Sequence, residues 1–186
     1  PPAGAGKIGQ WITARSIYPV DNDLALAGYK DVSGMKLWSW GNAPVGVVNQ
    51  TALTDDGSVY AETQCGAMET QLDFAFLDPG TTREWREWWL PLRGIGGLTC
   101  ASTKAGARIQ LTSPDSDNQV KILISICAAL ELQGALILLS IPGHEILREN
   151  TSLSPRDPWF GEAFIKSQVL ADLPITLQVI DRDGIT

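Results

Sequence analysis

Apolar residues at alternate positions, cut into short runs by turn residues, constrain this chain more than any other feature. In Val120 to Ala128, the residues Val120, Ile122, Ile124, Ile126 and Ala128 fall on one face, with Lys121 and Ser125 on the other. Such alternation marks a strand with one buried side. Turn signals recur at Asp55-Asp56-Gly57, Asp78-Pro79-Gly80, Gly94 to Gly97, Pro114 to Asn118, Gln133-Gly134, Pro142-Gly143 and Asp181 to Gly184. The runs between them have the length of strands rather than helices. Ala135 to Ile141 and Ile175 to Ile180 read as further strands, and Ala128 to Leu132 as at most one helical turn. The fold class is all-β.

A chain of 186 residues with 44% hydrophobic content can build one large or two small domains around a sizeable core. A seam is expected at the small-residue stretch Ala101 to Ala107, dividing residues 1–106 from residues 107–186. Beyond the seam, short strands between turns suggest a small immunoglobulin-like β-sandwich. Asp183-Gly184 is a hairpin signal with almost nothing after it, so this sandwich is expected to be short of its last strand. Pro1 to Gly6 read like the middle of a longer protein, and both ends suggest a fragment.

The net charge of −7 repels phosphate backbones and anionic lipid, and the basic residues are scattered. No nucleic-acid or membrane partner is expected. The longest apolar candidate, Ile122 to Ile141, is interrupted by Glu131, Gln133 and Gly134. Three cysteines in no close-spaced pattern suggest neither a disulfide framework nor a metal site, and each is expected in or near a core. Gly94, Gly96 and Gly97 lack the Lys-Ser or Lys-Thr of a phosphate loop and suit a tight bend. The single histidine, His144, follows Pro142-Gly143 and reads as a turn residue, and no organic cofactor or metal is implied.

Chemistry concentrates in Val59 to Leu92. On an extended Tyr60–Gln64 run, Tyr60, Glu62 and Gln64 share one face, placing a phenol, an acid and an amide side by side. Further on, Glu87 lies between Trp85 and Trp89 on one face of a tryptophan-rich strand. Sugars offer apolar C–H faces that stack on aromatic rings and hydroxyls that need acidic or amide acceptors. Tyr60, Gln64, Trp85, Glu87 and Trp89 are therefore candidate sugar contacts. The same tryptophans would equally serve a core, as would Trp38 and Trp40 in KLWSW.

Several of these pieces also recur together in a known pattern. GMKLWSWG (Gly34 to Gly41), YAETQ (Tyr60 to Gln64), ETQLDF (Glu69 to Phe74), LDPG (Leu77 to Gly80) and EWWLPLRGIGGL (Glu87 to Leu98) resemble an uncharacterised bacterial and fungal domain family, over roughly Ile17 to Ala105. Its members often sit ahead of tetratricopeptide repeats, and it is similar to the galactose mutarotase (aldose 1-epimerase) superfamily of β-supersandwiches. The resemblance implies that residues 1–106 are the C-terminal part of such a supersandwich. It also implies that Glu62 is the general base, with Leu77-Asp78-Pro79-Gly80 as the following turn. The second ETQ, Glu69 to Gln71, competes for the match but sits closer to that turn. Mutarotases also use histidines from earlier strands, which this chain lacks.

Two functional expectations follow. One is a carbohydrate-binding or carbohydrate-active protein with Glu62 as base. The other is a non-catalytic glycan-binding or structural module that docks on the rest of its own protein or on a second copy.

Overall fold

The alternation of Val120 to Ala128 lies at the centre of a β-sandwich in the computed structural model, which describes residues 11–15, 22–28, 34, 36–59, 61–85, 87–170 and 173–185. Side chains of residues 11–15, 22–28, 37, 87 and 185 are not described. The strands β1 (Trp11–Arg15), β2 (Asn22–Gly28) and β3 (Lys36–Ser39) precede the helix α1 (Pro44–Leu53). Then come β4 (Ala61–Gln64), β5 (Glu87–Arg93), β6 (Cys100–Ala101), β7 (Ala105–Leu111), β8 (Gln119–Ala128) and β9 (Leu132–Ile141). The chain continues with β10 (His144–Leu153), β11 (Trp159–Lys166), the short α2 (Ser167–Leu170), β12 (Thr176–Asp181) and β13 (Gly184–Ile185). It divides into two compact units, one built mainly from Leu26–Trp89 and the other mainly from Leu90–Thr186. A three-stranded sheet has the order β1-β2-β5.

The second unit is a sandwich of two four-stranded antiparallel sheets, ordered β11-β8-β7-β6 and β10-β9-β12-β13. Val120, Ile122, Ile124, Ile126 and Ala128 of β8 are all buried, as the alternation predicts. They share one hydrophobic cluster with Ala135, Ile137, Leu139 and Ile141 of β9, Leu153 of β10, Ala163 and Ile165 of β11, and Val179 of β12. Each fully buried isoleucine or leucine contributes about 1.5–3 kcal/mol relative to exposure, so this cluster is the main source of the unit's stability. Neighbouring strands are in register, with Ala107 opposite Ile126, Ala163 opposite Ile122, and Val179 opposite Ile137.

Turn chemistry closes the sandwich where the sequence placed it. Gly134, Gly143 and Gly184 all have positive φ, as does Asn118. Ala101 to Ala107 forms the hairpin between β6 and β7, with Ser102 N–H donating to Ala105 O at 2.8 Å. The stretch after Ala128 is a hairpin bend into β9 and not a helical turn, because Leu132 is already needed as a core residue opposite Leu153. The Asp183-Gly184 signal is honoured by β13, which pairs with β12 through Ile185 and Ile180. The Gly94–Gly97 bend is held by Arg108, whose guanidinium donates to Gly96 O at 2.7 Å.

In the first unit, β3 and β4 pair antiparallel, with Lys36 opposite Gln64 and Trp38 opposite Glu62. The helix α1 was not legible in the sequence. Pro44 occupies its first turn, where a missing N–H costs nothing. Its anchors are tertiary: the buried Gln50 donates to Gly41 O at 3.0 Å. Gly46 lies so close to Trp40 that a Cβ there would sit 2.0 Å from its carbonyl oxygen. Val45, Val47, Val48 and Leu53 are exposed. Among the described residues, no helix is long and apolar enough to cross a membrane.

Candidate functional site

The register of β3 against β4 decides which side chains surround Glu62. Opposite and diagonal neighbours on one face of an antiparallel pair are within reach of each other. Trp38, facing Glu62, donates its indole Nε1–H to Gln64 Oε1 at 3.0 Å. The Gln64 amide in turn donates to Glu62 Oε1. The amide is thereby fixed at both ends, and the carboxylate has a defined orientation. An ionised carboxylate accepts at both oxygens; one of them takes the amide, which leaves Oε2 as the acceptor that can meet a ligand hydroxyl. Glu62 and Gln64 are both half-buried, neither flush with bulk water nor sealed.

Trp38 stacks on Trp40 with ring centroids 6.5 Å apart and planes 23° from parallel. The acid–amide pair is therefore bordered by an indole surface drawn from β3. Alongside it, Lys36 donates to Met68 O at 3.0 Å and to Gly34 O at 3.3 Å. Gly34 N–H donates to Gly66 O at 3.1 Å. Glycine is required at position 34, because a Cβ would lie 1.7 Å from Met68 O. These bonds tie the segment after β4 to the start of β3 and hold the Glu62 face in place.

The structure describes four of the six predicted site residues with their side chains. Glu62 and Gln64 come together as expected. Tyr60 lies outside the described residues, and Glu87 is described only as the first residue of β5. Trp89 lies on β5 and is half exposed, at 49%, while Trp85 precedes the strand at 41%. The tryptophan-rich strand thus begins at Glu87 and does not include Trp85. The contacts of Gln64 and Glu62 run to Trp38, which the sequence had left among core tryptophans. The competing Glu69 lies in an exposed stretch without strand structure.

Among the described residues, two cavities of the second unit stand out, and neither is lined by a predicted site residue. One, of about 110 Å³, opens between the sheets beside Cys100, Ala107 and Val179. The other, of about 400 Å³, is bordered by Lys104, Glu131, Asp181 and Asp183. There Lys104 Nζ pairs with Asp181 at 2.8 Å, and its hydrogen bond holds the Asp181 carboxyl below the ordinary carboxylate range. Of the cysteines, Cys127 is buried, Cys65 half-buried and Cys100 exposed, so only the first is a core residue. Burial pushes the Cys127 thiol up, partly offset by the Arg93 N–H that donates to its sulfur at 3.4 Å. His144 opens β10 directly after the Pro142-Gly143 turn. Among the described residues, no three metal-ligating side chains gather.

Residues 15–92 match the family model of a domain of unknown function, DUF5107. The match contains β2, β3, α1 and β4 whole, and β5 as far as Leu92. It therefore takes in the Glu62 face and stops short of the sandwich. No solved structure matches the chain.

Proposed function

We propose that the chain is a carbohydrate-binding protein that holds a sugar on the β3–β4 face. The observation that carries this reading is the bond series from the Trp38 indole through the Gln64 amide to the Glu62 carboxylate, beside stacked indoles. An oriented acceptor next to an aromatic surface matches a ring with polar edges and apolar C–H faces. The resemblance of YAETQ and its neighbours to the mutarotase-like group supports the same ligand class. Glycan-array binding of the full chain, compared with Trp38→Ala, tests it. Replacing Trp38 removes both the ring and the amide's anchor, and binding is expected to fall by roughly tenfold or more, the scale of a lost hydrogen bond to a group that orients a charge. Unchanged binding would refute the assignment of this face.

A catalytic version of this reading makes Glu62 the general base for sugar epimerisation or hydrolysis. It rests on the place of Glu62 in the ETQ strand. A base must reach the proton it takes, and on this reading Glu62 Oε2, the oxygen not holding the Gln64 amide, would take it. Polarimetry on candidate aldoses with Glu62→Gln addresses it: chemistry that survives the change excludes Glu62 as base.

A further inference from the structure

The charge on Glu62 has no counter-charge among the described residues. Its carboxylate is half-buried, and one oxygen accepts from the Gln64 amide. A neutral amide orients a carboxylate but does not balance it. No cationic side chain pairs with Glu62 among the described residues. On β3 and β4 the other charged side chain is Lys36, opposite Gln64. Its ammonium is committed elsewhere, donating to Met68 O at 3.0 Å and to Gly34 O at 3.3 Å. Neither α1, whose Gly46 packs on Trp40, nor the segment Cys65 to Met68 carries a charged residue. The wider stretch adds to the imbalance, with eight acidic and three basic residues from Gly34 to Trp89. A surplus of one sign draws in the other. Trp38 and Trp40, stacked and partly exposed, border the same carboxylate. An indole face is the negative part of its quadrupole, so it attracts a cation as well as a C–H surface.

We propose that the ligand of the β3–β4 face is an amino sugar with a free, protonated amine, whose ammonium pairs with Glu62. The inference rests on the sugar-binding reading of this face and adds to it the charge of the ligand. A neutral hydroxyl meets the hydrogen-bonding capacity of Glu62 Oε2 and leaves the charge unbalanced. An ammonium meets both, because it donates to that oxygen and carries the opposite sign. It also suits the indole faces, on which the apolar side of the sugar ring lies. Acetylation of the amine keeps the ring and removes the charge. A uronic acid sets carboxylate against carboxylate, so the face discriminates against it as well.

Titration calorimetry of the full chain with three β-1,4-linked oligosaccharides of equal length, built from glucosamine, N-acetylglucosamine and glucose, tests the proposal. Below about pH 7 an amine of ordinary pKa, near 8, carries its proton. There the glucosamine oligosaccharide is expected to bind about tenfold tighter than either neutral one, the scale of a charge-assisted bond beside an aromatic face. The preference should fade as pH rises through about 8 and the ammonium is lost, a readout that needs no variant. Glu62→Gln, which keeps the shape and removes the charge, should bring the ratio of affinities close to one. Glu69→Gln should leave the ratio as in the parent and so separate the local pair from the general acidic field. Equal binding of all three oligosaccharides overturns the amino-sugar assignment and leaves the sugar face standing, whereas binding of none overturns both. A preference that survives Glu62→Gln, or that Glu69→Gln removes equally, also overturns the proposal. So does displacement of the oligosaccharide by an equal concentration of propylamine, since the face would then read an ammonium without a sugar ring.

Discussion

The described parts of the two units differ in where they bury apolar residues. In the sandwich, Ile122, Ile126, Ile137 and Leu139 are wholly inaccessible, while Lys121, Leu123, Ser125, Leu136, Leu138 and Ser140 between them are less buried. Among the described residues of the first unit, the buried ones are Gly34, Gly46 and Gln50, while Leu72, Phe74 and Phe76 stand open. The sandwich keeps a continuous apolar cluster, although Phe160 and Phe164 of β11 stay exposed. Among the described side chains of the first unit, the buried positions are joined by polar bonds and glycine contacts. On the proposed reading, the sugar-binding face and the apolar core fall on different stretches of chain, in line with the general separation of scaffold and site.

The contrast can be broken by mutation. Ile137→Ala should cost about 2–5 kcal/mol, because β9, held between β10 and β12, collapses poorly around a new cavity. Denaturant unfolding followed by circular dichroism measures it. Val47→Ala on exposed α1 should change the same midpoint within about 0.5 kcal/mol. Equal losses at the two sites would remove the distinction between the units.

A smaller effect is expected at Gly34→Ala. The added methyl meets a backbone carbonyl, which cannot swing aside as a side chain would. Overpacking of this kind costs about 1–3 kcal/mol. It should also displace the segment tied to β3 and lower sugar affinity, whereas Ile137→Ala loosens the sandwich and leaves the site's contacts in place. Tryptophan fluorescence during unfolding, alongside sugar titration, separates the two outcomes.

The smallest effect concerns pH. Asp181 has a side chain only 7% exposed, and Lys104 holds its carboxyl below the ordinary range. A depressed folded-state value means that the pair stabilises the sandwich above the ordinary carboxylate pKa of about 4. This contribution fades as pH falls through the lower folded value. Lys104→Met should therefore be less stable than the parent near neutrality, with the gap closing in acid. A gap that stays constant from neutral to strongly acidic solution would show that the ion pair contributes nothing.

The sandwich was legible because its information is local. Alternation in β8 and turn residues at fixed offsets need no knowledge of partners, and the buried set follows from period alone. The helix α1 was hidden because Pro44–Leu53 carries β-branched valines without a helical apolar stripe. What forms it is the close approach of Gly46 to Trp40 and the reach of Gln50 to Gly41, contacts that exist only after folding. The site was legible by half for the same reason. Glu62 and Gln64 share a face by simple alternation. That Trp38 joins them depends on the pairing of β3 with β4 across an intervening helix, and no spacing in the sequence encodes that register.

The account's central claim is tested most directly by the pair of ETQ glutamates. Titration calorimetry with the best-bound sugar from the array compares Glu62→Gln with Glu69→Gln. Loss of a charged acceptor should weaken binding by about 1.5–3 kcal/mol, or roughly 10- to 150-fold, at Glu62 and leave Glu69→Gln equal to the parent. Loss at Glu69 with binding intact at Glu62 would contradict it outright.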